Sequence, residues 1–206
     1  MDRLVKVWQV GKISYSNGLK LQRCLANLHS KDSQVNNTLL CIEHPPVYTT
    51  GIRTKLYSEI EENTLKSKGA EFFRTDRGGL ITFHGPGQLV VYPILNLKHF
   101  KPSIKWYVCH IEKTIIELCK KFDLEAETSP HTGVWIKNNK IYPGLITSYH
   151  VALRGKGVTS LSKELDRVVT IEEVLPKFLD SFSDVFNCNY VDFPKDEADD
   201  IFKIVK

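Results

Sequence analysis

The densest group of residues that could carry chemistry is a glycine-rich segment with one histidine. It covers residues 77–88 and has the sequence RGGLITFHGPGQ. Gly78 and Gly79 allow tight backbone turns and the close approach of a ligand to the main chain. The glycine-proline-glycine sequence after His84 fixes a bend beside that side chain. A rigid bend next to an ionisable group is typical of a positioned site, but a hairpin with a structural histidine explains the same residues.

The cysteines are the other candidates, as nucleophiles, metal ligands or disulfide partners. They are odd in number and widely spaced, without a Cys-x-x-Cys pair, so a disulfide framework and a structural zinc site are disfavoured. A reducing compartment fits this usage. The first two lie in core-like helix and strand patterns, where a buried thiol is the simpler explanation. The five are Cys24, Cys41, Cys109, Cys119 and Cys188.

The first half of the chain predicts the elements that position the glycine-rich segment. Spaced valines indicate a strand near residues 5–10, and Ser14 or Ser16 could cap a helix after it. An apolar run at residues 38–44 is typical of a buried strand, and residues 52–70 are weakly helical. Residues 69–97 predict three strands separated by glycine turns.

The second half predicts helices around a hairpin. The apolar stripe of residues 103–122 begins at Ile104 and indicates a helix, and residues 132–142 a hairpin with Asn138 and Asn139 at its tip. A capping box at residues 170–173 opens a helix through Phe182, which Pro176 should bend or delay. The acidic run at residues 195–200 reads as a solubilising tail.

These patterns predict one α+β domain over residues 1–206, a mixed sheet flanked by helices, because strands and helices do not alternate regularly. Apolar residues make up 42% and charged residues 25%, which is globular composition. No apolar run could span a bilayer. The net charge is +4, but the basic residues are scattered, so neither a nucleic-acid nor a membrane partner is expected. The opening residues show no targeting segment.

Four segments together resemble one enzyme family. RGGLITFHGPGQLVVYPI resembles the RGG-x-x-T-x-HGPGQ-L-x-x-YPI signature of the octanoyl-[acyl-carrier-protein]:protein octanoyltransferases. EHPPVYT at residues 43–49, TGVW at 132–135 with Lys140 and Ile141 after it, and GVTSL at 157–161 resemble further family segments in the same order. The resemblance covers nearly the whole chain and is nearest to animal members. It implies the lipoate/biotin protein ligase-type catalytic fold.

The family's activity implies a two-step acyl transfer, the first step of protein lipoylation. Octanoate passes from an acyl-carrier-protein thioester to an enzyme cysteine, and then to a lysine of a lipoyl domain. The implied partners are octanoyl-acyl-carrier protein, the lipoyl domains of 2-oxoacid dehydrogenase complexes and the glycine cleavage H protein, in mitochondria. Neither a cofactor nor a metal is implied.

The resemblance also assigns site residues. Lys140 matches the lysine that lowers the pKa of the family's thiol, although a lysine in a hairpin is by itself more simply a solvated one. The residues that match the family's acyl-binding stretch are Arg77, Gly78, Gly79, Leu80, Ile81, Thr82, Phe83 and His84. We expect them to line a concave, apolar site that faces Lys140.

The sequence departs from the family where the nucleophile is expected. The segment between Lys140 and Gly157 is shortened, the family's Pro-Cys-Gly is absent, and no cysteine occurs between Lys140 and Cys188. Candidate substrate-binding residues in the shortened segment are Pro143, Gly144, Leu145, His150, Val151 and Ala152. We expect residues 142–157 to form a mobile region and the fold to be marginally stable.

Three functions therefore stay open. The first is an octanoyltransferase that has lost its nucleophile, and the second is a non-catalytic variant that binds the acyl group or its carrier. The third is a related lipoate or biotin ligase that uses ATP. A ligase should show its own nucleotide loop and an additional domain, and neither is visible. The transferase signature matches better.

Overall fold

The structure is a computed structural model that describes residues 3–31, 37–52, 59–67, 69–78, 81–129, 133–136, 139–141 and 159–205. Within these ranges the strands form three sheets, and helices cover the largest one on both faces. The α+β class with a mixed sheet flanked by helices is confirmed.

The central sheet has four strands in the order β10-β1-β2-β6. Strand β1 runs parallel to β10 and β2, whereas β2 runs antiparallel to β6. All of β2 is buried except its last residue, as the apolar run predicts. The strands are β1 (Leu4–Lys12), β2 (Asn37–Glu43), β6 (Val90–Ile94) and β10 (Asn189–Asp192).

Alternating side chains of this sheet enter two separate cores. Val7 and Leu39 face α3 and α5, and Trp8 and Leu40 face α1 and α6. The helices are α1 (Tyr15–Lys31), α3 (Ile104–Lys120), α5 (Ile171–Phe186) and α6 (Lys195–Val205). The result is a three-layer arrangement of helices, sheet and helices.

Two smaller sheets complete the described part of the fold. One has the order β4-β3-β5, with α2 against β4, and the other has the order β7-β8-β9. Their elements are β3 (Val47–Thr50), α2 (Glu59–Lys66), β4 (Glu71–Arg74), β5 (Thr82–His84), β7 (Glu127–Thr128), β8 (Val134–Ile136) and β9 (Asn139–Ile141), with α4 (Leu161–Glu164) after them.

Capping residues set the ends of helices α3 and α5. Ser103 caps α3 and Thr170 caps α5, each by accepting a hydrogen bond from a backbone N–H three residues later. Helix α5 ends at Phe186, four residues beyond the predicted end, and is capped by Asn187 in the left-handed conformation. Its start is not delayed, because Pro176 lies inside the helix.

Three details of the sequence interpretation are wrong. The acidic run is the first turns of α6, which buries Ala198, Ile201 and Val205 at helical spacing; acidic residues suit a helix N-terminus, so they do not indicate a free tail. Ile104 is 70% exposed, since it lies on the first turn of α3 outside the packed stripe. Asn139 pairs with Ile136 and so belongs to β9 rather than to the hairpin tip.

No helix in the described ranges is both long and apolar enough to cross a membrane. The expected mobile segment, residues 142–157, lies outside the described residues.

Candidate functional site

The β3-β5 pairing divides the glycine-rich segment between two faces of its sheet. Thr82 and His84 share one face, because alternate residues of a strand point the same way. Phe83 points to the other face, where its ring packs on Tyr48 at a centroid distance of 4.9 Å. A Cβ atom at Gly85 would lie 2.7 Å from the Phe83 ring, so a larger residue there would require the ring to shift. Strand alternation therefore keeps residues 82–84 from lining a single site.

The face that carries His84 meets a cluster of aromatic rings from other elements. The ring of Tyr15, at the start of α1, lies nearly parallel to the ring of His84, with the centroids 6.3 Å apart. Its centroid lies 5.0 Å from that of Phe73 in β4. His44, directly after β2, lies edge-on to His84 at 5.9 Å and contacts Tyr92 of β6 at 6.2 Å. We call Tyr15, His44, Phe73, His84 and Tyr92 the ring cluster.

His44 is the buried centre of this cluster, with 0% of its surface exposed. Its Nδ1 lies 2.8 Å from the carbonyl oxygen of Ile13, and its Nε2 lies 3.1 Å from the Tyr92 hydroxyl. Burial lowers the pKa of His44, against the opposing effects of the Ile13 bond and of Glu71. The neutral imidazole is therefore favoured.

His84 is oriented by a second buried side chain. Its Nδ1 lies 2.9 Å from Oε1 of Gln88, whose Nε2 donates to the carbonyl oxygen of Phe83 at 3.4 Å. Gln88 is fully buried, so it cannot turn freely to exchange partners with water. The amide thus fixes the ring plane of His84 with Nδ1 as the donor.

The two tyrosines of the cluster stay protonated at neutral pH. Burial raises the pKa of Tyr15, opposed by Arg77 and assisted by Asp76. Burial likewise raises the pKa of Tyr92. Both hydroxyls therefore remain hydrogen-bond donors.

Arg77 holds its own loop to the neighbouring strand. Its Nη2 donates to the carbonyl oxygen and to Oγ1 of Thr49 at 2.6 and 2.9 Å, and its Nη1 donates to the carbonyl oxygen of Gly78 at 2.8 Å. The positive charge of Arg77 lowers the pKa of both cluster tyrosines and so opposes the effect of their burial.

Several predicted site residues lie outside the described part of the chain. Gly79 and Leu80 are among them, and so are all the candidates in the shortened segment, namely Pro143, Gly144, Leu145, His150, Val151 and Ala152. The backbone of Lys140 pairs with Trp135 in the third sheet, but its side chain lies outside the described residues. Whether Lys140 faces His84 stays a prediction.

Three of the five thiols are buried and disfavour the thiolate. Burial raises the pKa of Cys41 to about 12; burial, with a smaller contribution from Glu164, raises that of Cys119 to about 12. Burial raises the pKa of Cys188 to about 11 against the opposing charge of Arg3. Cys24 and Cys109 are half-buried.

A separate cavity of about 670 Å³ opens near the third sheet, and four carboxylates border it. Its described lining residues include none from the ring cluster: they are Asp123, Leu124, Glu125, Ala126, Glu127, Ile136 and Glu164. In the described residues no group of histidine, cysteine or acidic side chains is arranged to hold a metal ion.

Of the five residues of the ring cluster, only His84 was among the predicted site residues. Sequence reasoning did not mark Tyr15, His44, Phe73 or Tyr92 as site residues. A signal for two of them was present, since His44 lies in EHPPVYT and Tyr92 in the YPI that ends the long signature. Tyr15 has no such marker and joins the site only through the packing of α1.

The fold and the sequence both match known proteins. A crystal structure of lipoate-protein ligase A bound with ATP aligns with 99% of this chain and 94% of its own, with a TM-score of 0.71 at 13% identity. The bipartite lipoate protein ligase of Thermoplasma acidophilum aligns with 99% and 91%, with a TM-score of 0.70 at 14% identity. Residues 14–142 match the family described as the lipoyl protein ligase A/B catalytic domain. The fold is that of a lipoate-ligase-type catalytic domain.

Sequence relatives narrow this class. The mitochondrial octanoyl-[acyl-carrier-protein]:protein N-octanoyltransferase of Danio rerio is 50% identical over 89% of this chain and 93% of its own length. The protein of the same name from Homo sapiens is 37% identical over 91% and 95%, and the mitochondrial octanoyltransferase of Arabidopsis thaliana is 35% identical over 84% of each. The chain belongs to the lipoyl protein ligase A/B catalytic-domain family, in its octanoyltransferase branch.

Proposed function

We propose that this protein binds the octanoyl thioester of acyl-carrier protein at the ring cluster and serves octanoyl transfer to lipoyl-domain lysines. The convergence of three motif segments carries the proposal: EHPPVYT contributes His44, HGPGQ contributes His84 and YPI contributes Tyr92. Aromatic walls with a few oriented polar groups are typical of sites for apolar ligands. The octanoyltransferase names of the relatives specify the acyl group.

The proposed donor rests on the name of a relative, whereas the proposed acceptors rest on the family resemblance of the sequence. The donor is octanoyl-acyl-carrier protein, as in the name of the Danio rerio relative. The acceptors are lipoyl domains of 2-oxoacid dehydrogenase complexes and the glycine cleavage H protein. The proposed location is the mitochondrion, as for the three named relatives. The chain acts as a single catalytic domain. The family signature assigns its substrate-binding residues, of which Phe83 faces away from the ring cluster, and Lys140 matches the lysine that activates the family's thiol.

We further propose that this chain forms no octanoyl-cysteine intermediate. A nucleophilic thiol must ionise near neutral pH, and burial raises the pKa of Cys41, Cys119 and Cys188 to about 11–12. Cys24 packs partly against the core on the α1 side of the sheet. These thiols also support the second candidate function, a non-catalytic protein that binds the acyl group or its carrier.

The experiment separates the two functions. The protein is mixed with octanoyl-carrier protein and a lipoyl domain, and complex formation, intact masses and the acceptor's mass are measured. A measurable affinity for octanoyl-carrier protein above that for the unacylated carrier is expected, without a hydroxylamine-sensitive octanoyl adduct on this chain. An octanoylated acceptor indicates the transferase, and an unmodified acceptor indicates the binding protein.

A matched variant ties the result to the ring cluster. His84→Ala should lower the affinity for octanoyl-carrier protein, because it removes a wall of the proposed site. His99→Asn, at an exposed histidine outside the cluster, should bind as the wild type does. Equal affinities for the acylated and unacylated carrier would refute acyl recognition.

A further inference from the structure

We infer that His44 is a positioning residue: a one-directional chain of hydrogen bonds through His44 locks Tyr15 and His84 into the walls of the site. The role in octanoyl recognition rests on the proposed function. The hydrogen-bond chain and its effect on His84 do not.

The direction of these hydrogen bonds follows from the carbonyl oxygen of Ile13, which is the acceptor at one end. The Ile13 carbonyl can only accept, so Nδ1 of His44 carries the proton over the 2.8 Å contact. In the neutral ring Nε2 then accepts, and the Tyr92 hydroxyl donates to it over 3.1 Å. The donors and acceptors therefore run in the order Tyr92, His44, Ile13.

These hydrogen bonds give each ring nitrogen of His44 a partner, in a position that water cannot reach. An unpaired nitrogen there would carry the desolvation penalty of a buried polar atom. Removing the Tyr92 hydroxyl, or turning the ring, therefore leaves His44 without an equivalent alternative.

The bond to Ile13 reaches the site because Ile13 lies two residues before the first residue of helix α1. The N–H of Ile13 donates to the carbonyl oxygen of Glu43 at 2.9 Å, so consecutive residues at the end of β2 hold both backbone groups of Ile13. Tyr15 follows two residues later. The end of β2 thereby sets where the Tyr15 ring enters the site.

Three rings then hold one another. Tyr15 lies 5.4 Å from His44 and 6.3 Å from His84, and the two histidines lie 5.9 Å apart. His44 is the fully buried member, and it is hydrogen-bonded to Ile13 between β1 and α1 and to Tyr92 of β6. A displacement of His44 is therefore transmitted to both other rings.

Gly18 offers a way to displace His44 without removing a polar group. A Cβ atom at this position would lie 2.9 Å from Cε1 of His44 and 3.4 Å from Cδ1 of Ile42. Alanine otherwise favours a helix interior over glycine. A loss of function in Gly18→Ala therefore reports the displaced ring, and Asn17→Ala, at an exposed neighbouring position, is the matched control.

The test uses the full chain with ¹⁵N-labelled histidine. His44→Gln identifies the His44 signals and, because its amide can donate to Ile13, should retain more ligand affinity than His44→Ala. We expect protonated Nδ1 and unprotonated Nε2 at His44 in the wild type. Tyr92→Phe and Gly18→Ala should shift the His84 signals and lower the affinity for octanoyl-carrier protein about tenfold, the order of one lost buried hydrogen bond.

Two results would overturn the inference. One is an Nε2–H tautomer at His44. The other is a lower melting temperature in Tyr92→Phe and Gly18→Ala with His84 signals and ligand affinity as in Asn17→Ala, which is the pattern of a purely structural histidine. If the wild type does not bind octanoyl-carrier protein, the proposed function fails, and the tautomer and His84 signals still decide the positioning role.

Discussion

The thiols of this protein should divide into two reactivity classes in the folded state. At pH 8 a thiol with the ordinary pKa of 9.0 is about one tenth ionised, whereas one with the Cys41 value of about 12 is ionised in about one molecule in ten thousand. The thiolate is the reacting species, so alkylation of Cys41 should be about a thousandfold slower on this ground alone. The same thousandfold slowing is expected for Cys119. Alkylation of Cys188 should be about a hundredfold slower than that of a thiol with the ordinary pKa.

The assay is pulsed alkylation with iodoacetamide at pH 8, followed by digestion and mass spectrometry. Native protein should take label at the half-buried Cys24 and Cys109 and remain unlabelled at the other three over the same interval. Protein unfolded in urea should label at all five, which controls for peptide recovery and reagent. Labelling of Cys41 at the rate of Cys24 in the native protein would refute the link between burial and an inert thiol.

The same experiment bears on catalysis. Octanoyl-pantetheine in place of iodoacetamide tests each thiol as an acyl acceptor, and the buried three should remain unmodified. A stoichiometric octanoyl group on Cys41, Cys119 or Cys188 would contradict the buried-thiol reasoning. Such a group on any of the five cysteines would contradict the proposed lack of a covalent intermediate.

Three further predictions concern stability. Phe182→Ala should lower the free energy of unfolding by about 3–5 kcal/mol and the melting temperature by roughly 10 °C, because the ring is 1% exposed and stacks on Phe186 with the ring centroids 4.2 Å apart. Ile204→Ala, at a position that is 72% exposed, is the control. Similar melting temperatures for the two variants would contradict this core. Ile201→Ala should lower the free energy of unfolding, measured with urea, by about 2–5 kcal/mol, because α6 packs on the central sheet. A smaller loss than that of Ile204→Ala would indicate that the C-terminal segment does not pack on the sheet. His44 has a folded-state pKa below its ordinary 6.5, so the unfolded chain binds the extra proton first; its contribution to stability is complete above about pH 6.5 and declines as the pH falls below that value. The difference in melting temperature between wild type and His44→Gln should therefore shrink from pH 7.5 to pH 5.5, and a difference that grows would contradict the sign.

Local signals in the sequence predicted most of the secondary structure. The apolar stripe of α3, the capping box of α5, the buried run of β2 and the three strands at residues 69–97 each depend on neighbouring residues. They can therefore be predicted from local sequence. The same locality explains the failure at α6. Its apolar stripe is short and interrupted by acids, and only the packing against the Trp8 side of the central sheet turns it into a core helix.

The sequence by itself determined the family and the α+β class, because the long signature and the order of its companion segments are properties of the chain. Only the tertiary structure decided which residues meet. His44 joins Tyr92 because β2 pairs with β6, and His84 approaches both because β5 pairs with β3. Strand alternation, meanwhile, sends Phe83 to the opposite face. The first pairing joins segments 48–56 residues apart and the second joins segments 33–37 residues apart. The hydrogen bonds and buried surface that select these pairings form only when the sheets assemble.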